Sequence, residues 1–223
     1  MNEERIQARE RANQLAQEFR QKGDLKGWFD AVYANAKGNP SAIPWAHLTP
    51  NPLFTDWSKR NDLKGEGKKA LLVGCGLGDD AEELARLGFE VTAFDISPNA
   101  IEWCRRRFPQ SKVDYCIADL LTPPATWQSK FDFVLECYTL QALPIEVRGQ
   151  AIENIARFPS PGGSLLVICR GCDTAAEQIS MPWPLTRDEL AGFQKSGLQL
   201  VSFEDFMDDE DPPVRRFRIL YQA

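Results

Sequence analysis

The stretch Ala70–Asp80, ALLVGCGLGDD, constrains this chain more than any other. Four apolar residues, Ala70 to Val73, run into Gly74, Gly76 and Gly78, and two carboxylates, Asp79 and Asp80, then open a helical pattern. A short apolar run of this kind predicts a strand buried on both faces. The glycines at its end allow a sharp turn and a close ligand approach, since no Cβ stands in the way. Asp79 or Asp80 is positioned to cap the helix and sits at its positive end. Strand, glycine turn and helix together make the nucleotide-binding first unit of a doubly wound α/β sheet.

The identity of the nucleotide turns on the glycine spacing. A dinucleotide fingerprint reads G-x-G-x-x-G, with the helix N-terminus facing a pyrophosphate. Here the glycines fall as G-x-G-x-G, and Asp79 stands where the third fingerprint glycine belongs. Two carboxylates at the helix entrance repel a pyrophosphate and suit a ligand with a cationic part. S-adenosylmethionine has that character: adenosine, a sulfonium and an α-ammonium, with no phosphate. A glycine turn without any ligand remains the plainer alternative.

The next residues extend the pattern. Glu90–Phe94 reads as a second strand with Asp95 at its carboxyl end, where an acid holds a ribose through its hydroxyls. Ser97-Pro98 supplies a cap and a first-turn proline for another helix. Val113–Ile117 and Phe131–Leu135 read as strands three and four, followed by Asp119 and by Glu136-Cys137. Acids thus follow all four strands, on the sheet edge where such folds bind ligands.

The runs VGCGLGDD, FDIS (Phe94–Ser97), IADLL (Ile117–Leu121) and FDFVLE (Phe131–Glu136) resemble the class I S-adenosylmethionine-dependent methyltransferases over residues 68–170. Before them, Gly27-Trp28-Phe29-Asp30, Ile43-Pro44-Trp45 and Pro52-Leu53 resemble the N-terminal segment of the thiopurine, thiol and halide methyltransferase group. In that group an aromatic segment folds over the cofactor. The resemblance implies a seven-stranded, mostly parallel α/β sheet with its last strand antiparallel and helices on both faces. It also implies one methyltransferase domain over 1–223, with residues 1–67 as N-terminal helices and a Pro/Trp-rich loop, and 68–223 as the Rossmann-like core.

Position on the sheet edge and the resemblance together suggest the site. Gly74, Cys75, Gly76 and Gly78 are expected under the methionine part, with Asp80 or Asp79 toward its ammonium. Asp95 is expected on the ribose, Ile96 against the adenine, Asp119 on the adenine amino group and Leu120 beside the ring. Glu136, Cys137 and Tyr138 follow strand four, nearest the methyl. Trp28, Tyr33 and Trp45 match the aromatic segment, Tyr33 replacing a tryptophan. His47, the one histidine, is the side chain whose ordinary pKa lies near neutrality, and with Tyr138 it is the candidate catalytic group.

Composition narrows the partners. A net charge of −6 on 223 residues gives no pull toward nucleic acid or an anionic membrane, so a small-molecule acceptor and a monomer are expected. No stretch approaches the roughly 20 apolar residues of a membrane span, and MNEERIQARERANQ lacks a signal-peptide core, which points to the cytoplasm. The six cysteines are irregularly spaced, as reduced, buried thiols are. Cys169-Arg-Gly-Cys172 has the C-x-x-C spacing, but no second pair completes a metal site. No metal is expected.

The remaining chain reads as packing elements. Residues 3–21 and Leu25–Ala34 form helices, and Gly38–Pro52, with four prolines, forms a shaped loop. Ile145–Phe158 is expected as a helix with Ile145, Val147, Ile152, Ile155 and Ala156 inward, Pro159–Gly163 as a turn, and Ser164–Cys169 as strand five. Thr186–Gly197 reads as a capped helix, and Leu198–Phe206 with Val214–Tyr221 as an antiparallel pair joined by the solvated acidic loop Asp208–Asp211. Arg215-Arg216 reads as strand-edge charge, with an acidic acceptor as the alternative partner.

Methyl transfer from a sulfonium asks mainly for in-line alignment, which alone lowers a barrier by roughly 7–11 kcal/mol. A thiol, with an ordinary pKa of about 8.5, supplies its own thiolate, whereas an alcohol needs a base. With no catalytic His pair or Lys/Tyr dyad in the chain, a thiol or other soft acceptor is favoured. The alternatives are an O- or N-methyltransferase of small-molecule metabolism and a non-catalytic S-adenosylmethionine-binding partner protein.

Overall fold

The computed structural model describes residues 3–178 and 181–223. Its strands are β1 (Lys69–Val73), β2 (Glu90–Asp95), β3 (Asp114–Ile117), β4 (Phe131–Cys137), β5 (Pro159–Cys172), β6 (Leu185–Thr186), β7 (Gln199–Met207) and β8 (Arg215–Gln222). The sheet order is β3-β2-β1-β4-β5-β8-β7, and the two-residue β6 pairs with β5 outside that path. Strands β1 to β5 run parallel, while β8 is antiparallel to both β5 and β7. The seven-stranded, mostly parallel sheet is therefore as expected, with β6 as an added eighth strand. Strand order reverses between β1 and β4, and the crevice at their carboxyl ends is where a doubly wound sheet takes its ligand.

Among the described residues, eight α-helices surround the sheet: α1 (Glu3–Gln21), α2 (Gly27–Ala36), α3 (Pro52–Arg60), α4 (Asp79–Arg86), α5 (Pro98–Arg107), α6 (Ile145–Ala156), α7 (Arg187–Leu190) and α8 (Gly192–Lys195). Alternation along the strands divides the core in two. Leu71, Val73, Val134, Leu165 and Val167 pack with Ile152 and Ile155 of α6. On the other face Leu72, Phe133, Leu135 and Leu166 meet Phe54 and Trp57 of α3, Leu84 of α4 and Ile101 of α5. A third cluster joins Ala12, Trp28, Val32, Tyr33 and Ile43 to Leu77, Ala100 and Trp103. That cluster seats the N-terminal segment on the glycine turn and on α5.

Several local expectations are corrected. Gly78, with φ 89, is itself the N-cap of α4 and no side chain caps it. Asp79 and Asp80 fall inside the first turn, where they still complement the helix dipole. The Pro-rich loop ends in α3, which Asn51 caps by accepting from Leu53 N–H and Phe54 N–H. Pro159–Gly163 is no free turn but the first part of β5, with a register shift opposite Phe131 and Phe133. Ile145 points to solvent at 55% exposure, and Arg148, at 2%, is buried on α6 in its stead. Arg148 can be buried because Glu189 pairs with it at 2.8 Å and Leu143 O accepts from it. The single helix expected over Thr186–Gly197 is split into α7 and α8, although Thr186 does cap it, in a capping box with Glu189.

The acidic loop is not simply solvated either. Asp208 and Glu210 bind Arg216 at 2.6 and 2.7 Å, and Arg216 is only 2% exposed rather than a strand-edge charge. Arg215 pairs with Asp205 and Asp173.

Candidate active site

The glycine turn is built by two constraints. A Cβ at Gly74 would lie 2.3 Å from Thr139 Oγ1, so no side chain fits between the ends of β1 and β4. Cys75 N–H donates to Phe94 O at 2.8 Å and ties the turn to β2. Gly76, with φ 54, then points its N–H at Asp95 Oδ2, 3.0 Å away, while Asp95 Oδ1 accepts from Ser97 N–H at 3.0 Å. Each carboxylate oxygen keeps lone-pair capacity beyond its backbone donor, which is what a ribose diol requires. Burial lifts the Asp95 pKa to about 6, against those backbone hydrogen bonds.

Around this centre the expected residues gather on one edge. Ile96 follows Asp95, half-buried. Asp119, beyond β3, accepts from Leu121 N–H at 2.9 Å and forms an ion pair with Lys26, just before α2. Leu120 turns into the core with Phe94 and Trp127, so its side chain packs rather than lines the edge. Asp80 accepts from Asn51 N–H at 2.6 Å, and burial raises its pKa to about 6. Asp79 instead grips Arg107 through two 2.8 Å hydrogen bonds.

Glu136 is fully buried at the end of β4. Its Oε1 accepts from Thr139 N–H and Leu140 N–H at 2.7 and 2.8 Å, and its Oε2 has no partner. Burial lifts its pKa to about 7 in spite of the two N–H groups. Cys137 is beside Tyr138, and burial pushes its thiol upward, away from thiolate chemistry. Tyr138 takes φ 67, a strained left-handed conformation for a tyrosine, and its ring lies 4.9 Å from the Arg216 guanidinium. Burial raises its pKa, so the phenol keeps its proton.

The aromatic segment lies over the turn. Trp45 Nε1 donates to Tyr33 OH at 2.8 Å, and Trp28 meets the Trp45 ring edge-on at 5.9 Å. The Tyr33 hydroxyl is the nearest group to a Cβ built at Gly76, at 3.4 Å. His47 stands on the rim, its Nδ1 2.9 Å from Arg5 Nη2. Partial burial and the neighbouring Arg5 lower its pKa, so the imidazole is neutral at pH 7.

Sequence reading passed over the groups that fasten the segment. Asp30 accepts from Ser97 Oγ at 2.6 Å and from Asn99 N–H at 3.1 Å, joining α2 to the start of α5. Lys26 and Asn51 do similar work at Asp119 and Asp80. Only Asn51 had a signal, an Asn-Pro pair ahead of an apolar run. Among the described residues, no three His, Cys, Asp or Glu side chains gather as a metal site. Cys169 and Cys172 are buried free thiols.

Residues 70–163, spanning the glycine turn, Asp95, Asp119 and Glu136, match the methyltransferase domain family. Over these residues the chain is similar to methyltransferase domains, and its sheet has their Rossmann-like fold. A ubiquinone biosynthesis O-methyltransferase from Xanthomonas oryzae pv. oryzae is 35% identical over 120 residues, 52% of this chain and 48% of that protein. The chain thus spans about half the length of the curated relatives it matches first. A structure described by conversion of a disulfide bond into a thioacetal group during echinomycin biosynthesis superposes with TM-score 0.70 at 21% identity, over 87% of this chain and 90% of that one. The N-methyltransferase NodS from Bradyrhizobium japonicum, in complex with S-adenosyl-L-homocysteine, superposes with TM-score 0.66 at 18% identity, over 86% and 96%. These likenesses carry the methyltransferase fold. They leave the acceptor open.

The residues present suit that cofactor. The carboxylate at the end of β2 offers acceptors to a diol, the glycine turn leaves room for a main-chain-like methionine, and no phosphate-binding pattern competes. Once bound, S-adenosylmethionine supplies an electrophilic methyl on a sulfonium.

Proposed function

We propose that the chain transfers a methyl group from S-adenosylmethionine to a small-molecule acceptor, a thiol or other soft nucleophile. The observation that carries the reading is Asp95, held by Gly76 N–H and Ser97 N–H at the carboxyl end of β2. In this mechanism Asp95 fixes the ribose, the glycine turn fixes the methionine part, and Trp28, Tyr33 and Trp45 exclude water from above. Tyr138 orients the acceptor. Tyr138 keeps its own proton, and His47 is engaged on the rim by Arg5. That supports an acceptor that ionises itself, and the aromatic N-terminal segment supports the thiopurine, thiol and halide kind. We further propose that the whole chain works as one cytoplasmic, monomeric unit without nucleic acid, in line with its charge of −6.

A second reading, O-methyl transfer, is favoured by the likeness to ubiquinone biosynthesis O-methyltransferases. Calorimetric titration with S-adenosylhomocysteine and, in parallel, NADH tests the cofactor: micromolar binding of the first and none of the second is expected. Binding of neither, or of NADH alone, overturns the reading. A pH–rate profile then separates the two acceptors, since an O-acceptor demands an essential base and a thiol shows only its own ionisation.

A further inference from the structure

The β5–β8 register sets Arg170 directly opposite Arg216. Residues so paired share one face of the sheet, where two like charges repel. Arg216 is answered by Asp208 and Glu210. Arg170 is not. Its Nε is buried without a partner, and among the described residues no carboxylate forms an ion pair with it. Burial, then Arg216 and Arg9 of α1, lower the Arg170 pKa, while Glu210 and Tyr138 act against them.

The location gives this imbalance a purpose. Arg170 stands near the carboxyl end of β5, its backbone N–H fixed by Gln141 Oε1 at 2.7 Å. The adjacent β4 is followed by Tyr138, whose N–H donates to Ile168 O at 3.0 Å and whose ring lies against Arg216. The cations therefore border the acceptor side of the crevice, away from Asp95 and the ribose. A guanidinium fork without an ion-paired acid of its own is suited to a planar two-oxygen anion.

We propose that Arg170, with Arg9 beside it, binds a carboxylate carried by the methyl acceptor. The inference rests on the methyltransferase reading above and narrows its substrate to anionic small molecules. The charge of the acceptor is read at the β5 end, while the nucleophile is presented past Tyr138. Arg216, already neutralised, holds the Tyr138 ring and adds to the field.

The test uses the full chain loaded with S-adenosylhomocysteine and two matched probe pairs: 2-mercaptobenzoate with its methyl ester, and 3,4-dihydroxybenzoate with its methyl ester. In at least one pair the acid should bind tenfold or more tightly than the ester, and added salt should shrink that ratio. Arg170→Gln should cut the ratio about tenfold while keeping S-adenosylhomocysteine affinity within twofold. Arg9→Gln, on a helix outside the sheet, should reduce it severalfold and serves where Arg170→Gln does not fold. Acid-to-ester ratios below threefold in both pairs, absence of binding by all four probes included, overturn the proposal. So does a ratio unchanged in the variants. Failure of S-adenosylhomocysteine to bind the wild type would instead strike the methyltransferase reading itself.

Discussion

Asp95 carries two duties that pull its chemistry in opposite directions. Buried at 8% exposure, it is pushed toward the neutral acid, yet a ribose diol is best held by the carboxylate. With its pKa near 6, the free protein passes from carboxylate to acid just below neutrality. Cofactor affinity should therefore be flat above about pH 7 and fall below pH 6, because binding must then remove a proton. Asp95→Ala should weaken S-adenosylhomocysteine binding at pH 7.5 by on the order of 1.5–3 kcal/mol through lost charge-assisted hydrogen bonds. Asp95→Asn should lose less and shrink the acid limb to the part owed to Asp80. Calorimetry from pH 5 to 8 on the three proteins checks this, and alanine binding within twofold of wild type would remove Asp95 from the ribose.

Among the helices, α2 is fixed in place by contacts distant in sequence. Trp28, Val32 and Tyr33 give it an apolar face, but Asp30 fixes its position by reaching Ser97 and Asn99. Burial raises the Asp30 pKa, and the Ser97 and Asn99 hydrogen bonds outweigh it, leaving the pKa lowered. Asp30→Ala should cost about 1–3 kcal/mol by stranding the Asn99 N–H. Hydrogen exchange should speed up in residues 27–36 before it does in β1 or β4, since α2 opens as a local unit. Uniform acceleration across the sheet would argue against that separability. The sequence displayed β1, β2 and Ser97-Pro98 plainly, because each is written in neighbouring residues: an apolar run, a cap, a proline. It displayed Asp119 and Glu136 by their place after strands. It could not display Lys26 on Asp119 or Asp30 on Asn99, which depend on how α2 docks. The same holds for Ile145 and Arg148, where a buried ion pair with Glu189 displaced the apolar residue from the inner face.

At the scale of the whole molecule, charge is concentrated where the fold holds it at a cost. Asp80 and Asp95 have pKa values near 6, and Glu136 near 7, all raised by burial above their ordinary values. Between about pH 4 and 7 the folded chain therefore binds more protons at these sites than the unfolded chain, so their contribution to stability falls as pH rises. Asp205 acts in the opposite sense: hydrogen bonds from Arg215 hold its pKa near 2, against burial, and its contribution is lost only as pH falls toward that value. Among these four groups the three raised carboxylates favour weakly acidic over neutral solution, and Asp205 opposes them only at lower pH. Glu136 isolates the effect, because its Oε2 is a buried carboxylate oxygen without a donor. Glu136→Gln keeps an acceptor for Thr139 N–H and Leu140 N–H and removes the charge. It should stabilise the protein at pH 8 by on the order of 2–3 kcal/mol, the free energy of holding a carboxylate ionised above its unfolded pKa. At pH 4.5, where the folded wild type is already protonated, the gain should vanish. Urea unfolding of both proteins at the two pH values checks the sign. An equal effect at both would mean that Glu136 acts through packing, and that its charge is already met by a partner.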